Sequence, residues 1–73
     1  MNRYWIVFYE AKYSGNVSIN DDYLVITPFQ EFLNKHIVKE NIFYLLDRIN
    51  LVRVDIVNFK EVTHKEYTEW SNI

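Results

Sequence analysis

Apolar and polar positions alternate at two periods along the chain, and the first apolar run sets the frame. Arg3–Tyr13 reads Arg-Tyr-Trp-Ile-Val-Phe-Tyr-Glu-Ala-Lys-Tyr, and seven of these eleven residues are β-branched or aromatic. Such side chains suit a pleated, packed surface. One alternating set is Tyr4, Ile6, Phe8, Glu10 and Lys12; the other is Trp5, Val7, Tyr9, Ala11 and Tyr13. Neither set is polar over its first half, so the strand is expected to be covered on both faces there, as a central strand is.

Ser14-Gly15-Asn16 follows, holding the only glycine of the chain. Glycine and asparagine both tolerate positive φ, so a hairpin is expected, with a second strand over 17–26. Asn20-Asp21-Asp22 interrupts that strand with polar residues and predicts a bulge or a second turn. Thr27-Pro28-Phe29-Gln30 has the pattern of a helix start: a capping Thr27, Pro28 at the first helical position and Gln30 closing the box. Phe29, Phe32, Leu33, His36 and Ile37 then fall on one helical stripe, expected to end near Lys39-Glu40-Asn41. Ile42, Leu46 and Ile49 suggest a short second helix over 42–50, although an apolar run of this length fits a strand as well. Leu51–Val62 is the third strand. Val52, Val54 and Ile56 point one way and Arg53 and Asp55 the other, until a crossover at Val57 and Phe59 predicts a bulge or a sheet edge. Thr63-His64-Lys65-Glu66 is a second capping box, starting a short helix to about Trp70.

The expected fold is α+β, a single domain over residues 1–73. It has a three-stranded antiparallel sheet in the order 2-1-3, a helix on one face, a short second helix and a short C-terminal helix. The right-handed crossover rule places the first strand between the other two.

Size and charge narrow the function classes. A chain of 73 residues buries little of its surface, and with no cysteine it has neither a disulfide nor a thiolate metal site to help. Large rings, 18% of the residues, or a second copy or partner are the remaining ways to gain burial. The net charge is −2 without a basic patch, so no duplex nucleic-acid partner is expected. The opening residues lack a secretory apolar segment and there is no spanning stretch, so a soluble cytoplasmic protein without membrane association is expected.

Catalytic chemistry finds little support. His36 and His64 are the only imidazoles, too few for a zinc site without cysteines. Asp21-Asp22 lacks the spacing of a calcium loop and reads as a polar turn. Ser14, Ser18 and Ser71 stand outside any nucleophile-elbow pattern, and no glycine-rich loop is present. Neither an enzyme, a metal nor a cofactor is expected.

The rings are the stronger signal. The expected helix meets one face of the sheet around Phe29, Phe32 and Ile37. The other face, carrying Trp5, Tyr9 and Tyr13, is either capped by Tyr67 and Trp70 or left open. Those five residues are the candidate binding site, since Tyr and Trp combine contact area with a polar tip.

The closing segment Val57-Asn58-Phe59-Lys60-Glu61-Val62-Thr63-His64-Lys65-Glu66-Tyr67-Thr68-Glu69-Trp70 resembles the tails of small uncharacterised phage and mobile-element proteins. In these a last strand runs into a Glu-Val-Thr/Ser-x-x-Glu-Tyr cap. The resemblance implies a compact acidic protein that binds and blocks a host factor, as anti-CRISPR and other anti-defence proteins do. A host protein is then the expected partner, bound through rings and a sheet edge, and a homodimer is compatible with this. Two other readings stay open: a ligand or nucleotide sponge that stacks its cargo on the same rings, and a structural subunit of a larger assembly.

Overall fold

A computed structural model describes residues 1–46 and 49–72. Strand β1 spans Asn2–Tyr13, β2 Val17–Pro28, helix α1 Lys35–Leu45, β3 Leu51–Val62 and helix α2 His64–Ser71. The three strands form one antiparallel sheet in the order β2-β1-β3. The expected α+β fold and strand order are therefore found, with β1 in the middle.

Both faces of β1 are covered, by different helices. Trp5, Val7, Tyr9 and Ala11 lie beneath α1 in a cluster with Leu33, Val38, Ile42 and Val54. On the opposite face Tyr4 meets Tyr67 of α2 at 5.2 Å, and Phe8 meets Trp70 edge-on at 6.1 Å. This corrects the expected distribution of the rings. Trp5 and Tyr9 face α1, not Tyr67 and Trp70, so the five candidate residues are split between two sides of the sheet.

The hairpin forms at 14–16, where Gly15 and Asn16 take φ of 83° and 61°. Beyond it β2 pairs with β1 in unbroken register from Val17 to Pro28. No bulge or turn occurs at Asn20-Asp21-Asp22. Polar side chains are tolerated there because Asn20 and Asp21 are exposed and the half-buried Asp22 carboxylate accepts the Trp70 indole N–H.

The helix expected to be capped by Thr27 starts seven residues later. Thr27 is drawn into the sheet opposite Arg3, and its hydroxyl accepts the Trp5 Nε1–H at 2.9 Å and donates to the Glu31 carbonyl at 3.2 Å. A residue before proline also disfavours helical backbone, and proline is at home at the end of an edge strand. Asn34 is the actual cap, accepting the N–H groups of His36 and Ile37 at 3.1 and 3.2 Å. From there α1 runs through Asn41 without a break, so residues 42–45 extend the first helix instead of opening a second. Residues 47 and 48 of that expected second helix lie outside the described residues, and Ile49 and Asn50 form a turn.

Strand β3 carries two register shifts. Asn58 pairs with Phe8 and Ile56 with Tyr9, leaving Val57 as the extra residue; Arg53 pairs with Lys12 and Leu51 with Tyr13, leaving Val52. The bulge expected near Val57 is there. Each bulge lets residues three apart, Leu51 with Val54 and Ile56 with Phe59, face α1 together. Val52, expected on that stripe, is bulged out and exposed instead.

Helix α2 begins with the expected box. Thr63 Oγ1 accepts the Glu66 N–H at 3.1 Å and Glu66 Oε1 accepts the Thr63 N–H at 3.3 Å. No residue of α2 is fully buried, so its docking depends on the cap and on ring contacts. Thr63→Ala should lower stability by about 1 kcal/mol, read as a lower urea midpoint; an unchanged midpoint would show that the cap contributes nothing.

Candidate binding site

Trp5 is 2% and Tyr9 6% exposed. The Trp5 indole packs against Phe32 at 5.0 Å and Phe59 at 6.0 Å, with the Arg3 guanidinium over it at 4.8 Å. Arg3 is held there by a two-pronged pair with Glu61, Nε to Oε2 at 2.9 Å and Nη2 to Oε1 at 2.8 Å. Its third contact, Nη1 to the Glu31 carbonyl at 3.3 Å, ties the 29–34 loop to the sheet. The pairing keeps the Glu61 carboxyl below its ordinary range, first through the hydrogen bond from Arg3 and then through its charge. Trp5 and Phe32, the latter at 5.3 Å, thus stack against the protein's own Arg3, while Phe59 lies under Lys35 Nζ at 4.9 Å, so these rings already hold cations of the chain itself. Tyr13 is half-buried against the same core, while Tyr67 and Trp70 are half-buried on the other face. Trp70 Nε1–H also donates to Asp22 Oδ2 at 3.0 Å, tying α2 to β2.

Tyr9 sits opposite Asp21 in the sheet. Its phenol ionises above the ordinary range, first because burial disfavours the phenolate and then because Asp21, Tyr13 and Asp22 are near. The folded state therefore holds this proton more tightly than the unfolded chain does. The resulting stability is fully present below about pH 10 and is lost as pH rises through the raised value. Urea melts between pH 9 and 11 should show stability falling, with a shallower fall in Tyr9→Phe; equal slopes would contradict the assignment.

The two histidines do not converge. His36 is exposed beside Glu40, Nε2 to Oε1 at 3.2 Å, instead of lying on the packed stripe, and His64 lies against Tyr4 at 4.9 Å with the rings tilted by 42°. Among the described residues no group of three or more His, Cys, Asp or Glu is placed to hold a metal ion. No helix among them is long and apolar enough to cross a membrane.

What the arrangement does offer is an open sheet edge. The two outer strands differ sharply. Edge strand β3 is broken by bulges at Val52 and Val57 and carries Arg53, Asp55, Lys60 and Glu61, devices that obstruct pairing with another chain. Strand β2 has twelve residues in regular register, no lysine or arginine and no bulge. It contributes no residue to the fully buried core. Its side chains on the α1 face, in the order Val17, Ile19, Asp21, Tyr23, Val25, Thr27, alternate with those on the α2 face. Val17 and Ile19 are about half exposed. Beside β2 a groove of about 220 Å³ runs to α1, lined by Val25, Pro28, Phe32, Ile37 and Asn41 among others. Phe29, Phe32, Ile37, Tyr44 and Leu45 are all more than half exposed, on α1 or on the loop leading into it.

The residues read from sequence as a binding site are mostly packing residues, and the exposed apolar edge was not among them. The signal that would have found it was the absence of Lys and Arg from 17–28, the one strand without them. No known family model, curated protein or solved structure matches the chain.

Proposed function

We propose that the protein is a non-enzymatic binding module that takes an extended segment of another polypeptide on the free edge of β2, against the flank of α1. The observation that carries this reading is the contrast between the two edges: β3 is bulged twice and carries lysine and arginine, whereas β2 keeps one regular register with Asp21 and Asp22 as its charges and Pro28 at its end. An exposed regular edge supplies main-chain donors and acceptors for strand addition, and the apolar groove alongside supplies side-chain contacts. The resemblance of residues 57–70 to phage and mobile-element proteins extends the proposal to a host factor as the partner and blocking as the outcome.

The test is affinity capture from host lysate with wild-type protein and with the Val17→Lys, Ile19→Lys variant. Both side chains are exposed, so the variant should keep its fold. A protein captured by the wild type and lost by the folded variant supports strand addition; equal capture by both would remove β2 as the docking edge.

A further inference from the structure

We infer that the segment received by β2 is an extended strand with a basic side chain facing Asp21 and uncharged β-branched or aromatic side chains on either side of it. This rests on the strand-addition reading above and specifies its occupant. A strand added to β2 directs alternate side chains to the α1 face, where it meets the row Val17, Ile19, Asp21, Tyr23, Val25, Thr27. Five members of that row are uncharged, and the sixth is a carboxylate near the middle.

The charge around that position is one-sided. The Asp21 carboxylate accepts the Asp22 N–H at 2.8 Å, and no described lysine or arginine pairs with it. The neighbouring Asp22 is turned to the other face, where it holds Trp70. Strand β2 itself contributes no cation to the row, and the groove beside its Val25–Pro28 end is lined by Ile37 and Asn41 and by no lysine or arginine. The raised ionisation of Tyr9, to which Asp21 contributes after burial, agrees with a negative field at this point.

A second copy of the chain fits less well. Pairing β2 with itself about a two-fold axis over its full length gathers Asp21, Asp22 and their copies near that axis, and like charges placed across a strand pair oppose association.

The experiment is an NMR titration of the isotope-labelled protein with two synthetic peptides of about twelve residues. Both alternate valine and threonine; one has a central lysine and the other a glutamate in its place. The lysine peptide should shift the backbone amides of 17–28 and bind about fivefold more tightly than the glutamate peptide at low salt. Asp21→Asn should erase that difference. Equal binding of both peptides at β2 would overturn the basic preference and leave strand addition standing. Binding of neither peptide, or sedimentation as a dimer that protects the β2 amides from exchange, would overturn both.

Discussion

Trp5→Ala is expected to lower stability by about 3–5 kcal/mol, the cost of truncating a buried large aromatic side chain. A chain of this size has roughly 4–11 kcal/mol in total, taking ~0.05–0.15 kcal/mol per residue. The substitution should therefore remove a large share of that stability, and all of it at the lower end of the range. The size of the effect follows from how many elements meet at this indole. It joins β1 to β2 through Thr27, to the 29–34 loop through Phe32, to β3 through Phe59, and to the Arg3–Glu61 pair through Arg3. Removing it leaves a cavity and strips Thr27 and Arg3 of a partner each. Trp5→Phe keeps most of the ring contacts and loses the hydrogen bond to Thr27, so it should cost about 1–2 kcal/mol. A urea midpoint for Trp5→Ala equal to that of the wild type would contradict the placement of this side chain in the core.

The second large effect is expected at Ile42. Helix α1 buries only two side chains, Val38 and Ile42, and Ile42 has no exposed surface. Ile42→Ala should cost about 2–5 kcal/mol and loosen α1 from the sheet, with loss of helical circular dichroism before the main transition. The control is Ile37→Ala on the same helix. Ile37 is 52% exposed along the β2 groove, so its truncation should change stability by no more than about 0.5 kcal/mol. Equal losses at the two positions would mean that α1 sits on the sheet with a different face.

The elements that were legible in the sequence are those whose signals are local. Gly15 and Asn16 announce the hairpin because few other residues take positive φ. The box at Thr63 and Glu66 announces α2 because both partners lie within one turn. The crossover at Val57 marks a bulge because the alternation itself breaks there. Thr27–Gln30 carried an equally good local signal and misled. Its hydroxyl is needed by Trp5, twenty-two positions away, and pairing with Arg3 holds it in the sheet. Tertiary contact decided between two locally acceptable states.

The candidate site shows the same limit. Trp5, Tyr9 and Tyr13 do lie together on one face, as the alternation requires. Which helix covers that face depends on where the chain goes after β2 and β3, and no local pattern states it. Once α1 takes that face, α2 is left with Tyr4, Ile6 and Phe8, and the rings read as contacts become core. A sheet edge is expected to bind, and the order 2-1-3 makes β2 an edge, but no local pattern says which of the two edges it is. What the structure adds is the unbroken register of β2 through Asn20-Asp21-Asp22, where the sequence predicts a bulge or turn, against the two bulges of β3.

The central claim is that β2, and not β3 or the α2 face, receives the partner. The most direct measurement is amide hydrogen exchange of the protein alone and in complex with a captured partner, resolved residue by residue. Strand addition predicts new protection at alternate amides between Val17 and Thr27, with β3 unchanged. New protection confined to 51–62 or to α2, with β2 exchanging as in the free protein, would contradict it.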